Sequence, residues 1–216
     1  MSLKIDSKYL MGFLKFITPI IIGLIAIGTV GFFMDESLRL KYFSLITAYF
    51  FPPLGKESVI PTGVVAGIHP LVIALSIAFV DIIVALFLVW NYDLAKKVPL
   101  VGSFMEKVEN IGKNSSNKYN WIKPLRFIGI ILFVMVPFQG SGGLVGSIVG
   151  RLIGMKPLNT FFAISIGAVS GCLLIAYFAN AILNVFVTNV LYGLLAVIIV
   201  AIIGIMIYVY IKRNKK

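Results

Sequence analysis

The chain has one cysteine, Cys172, and one histidine, His69, in 216 residues. A lone cysteine excludes an intramolecular disulfide, and its place inside an apolar run says nothing of redox compartment. No histidine–cysteine–carboxylate cluster with metal-ligand spacing can be assembled, nor a serine–histidine–acid set, so no metal, other cofactor or triad chemistry is expected. Charge is scarce too: 12% of the residues are charged, against about 25% in a soluble domain. That is too little to cover a water-facing surface, and the same composition excludes disorder, collagen and a disulfide scaffold. A cleavable signal is not expected, because the first apolar run, Phe16 to Met34, exceeds a signal core and lacks a small-residue cleavage site.

What is present is apolar: 60% of the residues are hydrophobic and the mean hydropathy is +1.03. An all-α integral membrane protein follows. A spanning helix needs about 20 apolar residues, and Phe13–Met34, Pro70–Tyr92, Pro157–Asn180 and Val187–Ile211 meet that length. Ala163, Gly167 and Gly171 recur every four positions on the third of these, a stripe that lets another helix approach closely. Two further stretches are apolar but broken. Tyr42 to Phe51 ends in Pro52-Pro53-Leu54-Gly55-Lys56-Glu57 before Val59–Gly67 resumes. Leu125 to Val136 is followed by Pro137-Phe138-Gln139-Gly140-Ser141-Gly142-Gly143, then Leu144–Ile153. Backbone freed by such breaks is tolerated at membrane depth only where protein or a water-filled cavity covers it.

The net charge of +11 decides how those stretches cross. Basic residues gather in the arm (Lys4, Lys8, Lys15), in the segment from Asp93 to Arg126, and in the tail Lys212-Arg213-Asn214-Lys215-Lys216. All three belong on the cytoplasmic side, which requires each broken stretch to return to its own side. The expected fold therefore has four full spans and two opposed re-entrant hairpins, with both termini cytoplasmic at the plasma membrane. The expected divisions are an interfacial arm (1–12), a first repeat (42–92), a basic linker (93–124), a second repeat (125–180) and a final span (187–211). The basic residues form no aromatic-interleaved face, so nucleic acid is excluded as a partner.

Sliding the chain against itself by 87 residues superposes the two breaks. Gly55 falls on Gly142, Gly63 on Gly150, Gly67 on Gly154, and Pro70-Leu71 on Pro157-Leu158. These are residues that backbone geometry restricts. Inverted repeats with paired interruptions point to a secondary transporter whose site lies where the breaks meet. The backbone candidates are Pro53, Gly55, Pro61, Pro137, Gly140, Gly142 and Gly143.

Ionisable residues at membrane depth are functional candidates by default. Glu57 lies in the first break, where it could carry a coupling proton or pair with Lys56 or Arg151. Asp81 is mid-span on a face shared with Ala74, Ala78 and Ala85, and either a structural hydrogen bond or ion transfer suits it. Arg151 could snorkel or bind phosphate. Gln139 and Ser141 would offer polar groups in the second break. His69 reads as an interfacial residue more than a pH sensor.

The run from Phe51 to Gly63 resembles the first signature of the DedA (SNARE-associated Golgi protein/VTT) superfamily. Glu57 and Pro61 fall on its glutamate and second proline, while Gly55 and Lys56 depart from it. Asp81 is similar to the acidic or amide residue of the following span. The second break, Val136 to Gly146, looks more like the small multidrug export family, as does Gly154–Phe161. The DedA arginine after this proline is replaced by Gly140. The resemblance implies two opposed re-entrant hairpins and transport of polyprenyl-phosphate carriers or phospholipids coupled to protons or sodium. A drug or cation exporter, a passive scramblase and a membrane-embedded lipid phosphatase are the alternatives, and a carrier rather than an enzyme is expected. The partners implied are membrane lipids, a polyprenyl-phosphate substrate, a proton or sodium ion, and a second copy of the chain.

Overall fold

The structure, a computed structural model, describes residues 7–51, 54–92, 122–137 and 141–188, with Ile198 and Met206. The first six residues, most of the basic linker and the final span beyond Thr188 lie outside the described residues, as do Pro53, Gln139 and Gly140.

The described residues form seven helices and no strand: α1 (Ser7–Phe32), α2 (Glu36–Ala48), α3 (Lys56–Val65), α4 (Pro70–Trp90), α5 (Ile122–Met135), α6 (Gly143–Leu152) and α7 (Pro157–Thr188). Among them Leu10–Phe32, Pro70–Trp90 and Pro157–Val185 are long and apolar enough to cross a membrane. Several bounds differ from the sequence expectation: α2 begins at Glu36 rather than Tyr42, and α5 at Ile122 rather than Leu125. Helix α1 runs unbroken from Ser7, so the described part of the expected arm is its first turns. Helix α7 continues past Asn180 to Thr188, because no proline or glycine stands between them to stop it. At 1.5 Å per residue it is about 48 Å long, more than a hydrocarbon core of about 30 Å.

Contacts between the helices fix their directions. The Tyr42 hydroxyl donates to Ser76 and the Tyr49 hydroxyl to Asp81, so α2 runs parallel to the first half of α4. The start of α2 lies beside the end of α3: Lys41 Nζ donates to the Ala66 carbonyl and Leu38 packs on Gly67. The two helices therefore fold back on one another, with their joint level with Asp81. We call the end that carries Met34, Gly67 and His69 the first face. At the other end, the second face, Asn91 at the end of α4 donates to the Lys15 carbonyl of α1.

Helices α5 and α6 repeat this arrangement from the second face. Arg126 near the start of α5 donates to the Ile153 carbonyl beyond the end of α6. At its other end α6 begins against Asp81, where the Gly143 amide donates to that carboxylate. It then runs alongside α4 until the Arg151 guanidinium lies over the Tyr92 ring at 4.6 Å. Helix α7 returns from there, parallel to α5, with Gly167 against Ile131 and Gly171 against Met135. A side chain at either glycine would fall within 2.7 Å of an α5 carbonyl oxygen. The stripe therefore serves close helix packing, as its spacing predicts. Helices α4 and α7 run antiparallel, and each short helix packs against the long helix of the other half.

The two halves match element by element. Helix α3 and helix α6 have ten residues each, and their first residues stand 87 apart, as do Pro70 and Pro157. Each short helix ends in a glycine with positive φ, Gly67 at 94° and Gly154 at 81°. The amide that follows each one reaches back to a carbonyl, Ile68 to Gly63 and Met155 to Gly150, both at 3.0 Å. This is the Schellman stop, which needs a residue free to adopt the left-handed region. Pro70 and Pro157 then open the long helices, where a missing N–H is harmless. The core lies along α4 and α7, with Ala74, Ala78, Ala163, Ala168 and Ala176 at 0–1% exposure. Small side chains there allow the two long helices to approach.

Candidate functional site

The joints of the two folded helix pairs meet at mid-height of α4, around Asp81. The residue is 3% exposed, on the alanine face that faces the interior of the bundle. Oδ1 accepts two hydrogen bonds, from the Tyr49 hydroxyl and from the Gly143 backbone amide, each at 2.7 Å. The amide is one of those left free at the N-terminus of α6, and a carboxylate is a natural acceptor for it. Glycine is required by proximity. A Cβ on Gly143 would lie 2.0 Å from the Asp81 carbonyl oxygen, and one on Gly142 would lie 2.7 Å from Oδ1.

Lys56, the first residue of α3, is 2% exposed. Its Nζ donates to the Val134 carbonyl in the last turn of α5, where the free carbonyls and the helix dipole favour a cation. Ser141 Oγ donates to the Val136 carbonyl at 2.7 Å, just beyond that helix end. The C-terminus of α5 is thus capped by the Lys56 ammonium and the Ser141 hydroxyl.

Glu57 occupies the first turn of α3, half-buried. Its carboxylate folds back over Gly55, so close that a Cβ there would lie 2.4 Å from both oxygens. Ser58 supports this turn by accepting from the Gly55 amide at 3.2 Å. Glu57 Oε2 and Asp81 Oδ2 are both buried and have no hydrogen-bond partner among the described residues. Buried polar atoms are paired as a rule, so two unpaired carboxylate oxygens at one place need a reason.

The space beside them supplies one. A chamber of about 330 Å³ is lined by Tyr49, Lys56, Glu57, Asp81, Gly142 and Gly143, with apolar walls from Phe50, Val84 and Leu144. Beyond Glu57 lies a groove of about 510 Å³ between α3 and the later part of α7, lined by Pro61, Val65, Pro137, Ile175, Phe178 and Leu183 among others. Glu57 belongs to both, at the boundary between a polar chamber and an apolar groove.

The structure thus brings Gly55, Lys56, Glu57, Asp81, Ser141, Gly142 and Gly143 to one place, with Pro61 and Pro137 on the adjoining groove. It separates Arg151 from them. That side chain is at the far end of α6, with Nη1 donating to the Met155 carbonyl at 2.9 Å and its guanidinium over Tyr92. Arg151 therefore does not pair with Glu57, and the ammonium of Lys56 is directed to Val134. His69 is exposed and caps α4, its Nδ1 accepting from the Leu71 amide at 3.3 Å. Gln139, Gly140 and Pro53 fall outside the described residues. Tyr49 was missed from sequence; its only signal was a hydroxyl-bearing ring immediately before a break.

Neither the curated proteins nor the solved structures contain a match to this chain. A family model described as "Putative small multi-drug export protein" matches residues 57–175, from Glu57, just after the first helix joint, through the second joint to the wall of the groove. With that span covering more than half of a chain built on helices fit to cross a membrane, the protein belongs to this small multi-drug export family of membrane proteins.

Proposed function

We propose that the chain is an exporter that carries amphipathic cations across the membrane in exchange for protons, with Glu57 as the exchanging group and Asp81 beside it. The observation that carries this reading is the pair of unpaired carboxylate oxygens at the junction of the chamber and the apolar groove. An isolated carboxylate charge is costly in a low-dielectric site, and either a proton or a cation on it removes that cost. Only one of the two can occupy it at a time, which is the requirement for exchange. The groove beyond Glu57 offers apolar walls to the rest of such a molecule, and a family described as multi-drug exporters agrees with export.

In this reading the pairs α2–α3 and α5–α6 are re-entrant hairpins that meet at the midplane, and both termini lie in the cytoplasm by the positive-inside rule. The membrane is the plasma membrane, and the DedA likeness of the first break reflects a shared architecture. The protein acts as a carrier rather than a phosphatase, since Arg39 and Arg126 hold helix-end carbonyls and Arg151 lies away from the chamber.

A second reading, transport of a polyprenyl phosphate, is favoured by one observation: the N-termini of α3 and α6 both abut the chamber, and helix N-termini suit anions. Its weakness is that the Lys56 ammonium and the Gly143 amide are already bonded, to Val134 and Asp81. Proteoliposomes under an imposed pH gradient separate the two. Flux of radiolabelled dodecyltrimethylammonium or tetradecyltrimethylammonium that follows the gradient is expected. Flux of a fluorescent polyprenyl phosphate, with both cations inert, would replace this reading by the second. Lipid movement that ignores the gradient would make the protein a scramblase.

A further inference from the structure

A third cavity, of about 360 Å³, lies between α1, α2 and α4, and its accessible lining is wholly apolar. It runs along α4 from Phe79 to Phe87 and along α1 from Pro19 to Ile27, about 12 Å at 1.5 Å per residue. Phe50, Val80 and Val84 line both this cavity and the chamber that holds Asp81. The two spaces are therefore neighbours through one wall. Along α1 the cavity borders Ile20 and Leu24, which are 43% and 70% exposed, so its long side faces the surroundings of the bundle. Gly23 makes room on that side, with a Cβ there 3.2 Å from the Ile83 side chain.

The direction of this cavity is what distinguishes it. The groove beside Glu57 follows α3 from the helix joint toward the first face, alongside Ile175 to Leu183 of α7. The third cavity follows α4 from the level of Asp81 toward Trp90 and the second face. One polar chamber at mid-height thus has an apolar groove leading from it toward each face. A molecule with a charged head and an apolar tail can keep its head near the two carboxylates while its tail lies in either groove.

We propose that the cavity between α1, α2 and α4 is a second tail-binding groove for the carried molecule, an alkyl-tailed cation. Transport then moves the tail from one groove to the other while the head stays near Glu57 and Asp81. The substrate is exchanged laterally with the lipid on both sides rather than with water. This rests on the proposed cation reading. It goes beyond it in assigning a second site and a requirement for an unbranched, flexible tail. Phe50, exposed and on the wall between chamber and cavity, is the residue the tail must pass.

The test uses the full chain in nanodiscs and a dodecyltrimethylammonium ion with a diazirine at the tail end. Irradiation and peptide mass spectrometry locate the adducts, with excess unlabelled dodecyltrimethylammonium as competitor. Competed adducts are expected in two places, on α7 between Ile175 and Leu183 and on the facing stretches of α1 and α4. Ile83→Trp, which fills the cavity, should abolish the second set and keep the first. Ile20→Trp at the exposed rim replaces it if that variant fails to fold. Competed adducts on α7 alone, or α1 and α4 adducts that persist in the filled variant, would overturn the second groove and leave the cation reading intact. An absence of competed adducts anywhere would overturn both.

Discussion

At the scale of single residues, the site depends on what each side chain is prevented from doing. Gly143 has an ordinary reason to be small: the α6 amide must reach Asp81 past the α4 backbone. Gly143→Ala forces the two helices apart, and overpacking of this kind costs about 1–3 kcal/mol. The expected outcome is a lowered melting temperature in detergent, with Gly129→Ala, where an added Cβ meets nothing within 4 Å, as the neutral control. Glu57 differs, because its partner-free oxygen contributes nothing visible to the fold. Glu57→Gln should leave melting unchanged within about 1 kcal/mol and abolish gradient-driven cation flux in proteoliposomes. Unchanged flux would remove Glu57 from the exchange. The sequence singled out Glu57 and Asp81 because an acid in an apolar run is conspicuous. It could not distinguish Arg151, equally conspicuous, whose position at the second face emerges only from the course of α6.

Helices are the next scale, and here glycine and proline made the most legible marks. The stops at Gly67 and Gly154 and the starts at Pro70 and Pro157 repeat at one spacing, since the backbone geometry admits few other residues. At either glycine, alanine would be held in the left-handed region, which costs about 1–2 kcal/mol. Gly67→Ala and Gly154→Ala should therefore each lower stability by that amount, measured by chemical or thermal unfolding in detergent. Equal losses would further indicate that the two halves are equivalent in their turns. Gly171→Leu tests a different contact. Its Cβ would fall 2.7 Å from the Met135 carbonyl oxygen, so it should separate α5 from α7 and lower stability by more than either turn variant. The end of α7 was less legible than its start, because Asn180 resembles a boundary in hydropathy yet breaks nothing in the backbone.

At the scale of the bundle, α2–α4 and α5–α7 are, among the described residues, like-built halves set in opposite directions around α4 and α7. That arrangement predicts that the turn after α3 and the turn after α6 reach opposite sides of a membrane. In a Cys172→Ala background, His69→Cys and Lys156→Cys should react with a membrane-impermeant maleimide from opposite sides of oriented vesicles. Both residues are exposed, and labelling from one side would refute the opposed arrangement. Composition and hydropathy determined that the chain is helical and suited to lipid, because a chain with so little charge cannot cover a surface in water. Its glycines and prolines determined where helices break, because those residues act on their own backbone. Only the tertiary structure decided which breaks face each other, that Lys56 caps α5, that Tyr49 and Gly143 hold Asp81, and that two acidic oxygens have no partner among the described residues. Those facts depend on distances between residues far apart in the chain, and no local property of the sequence specifies such distances.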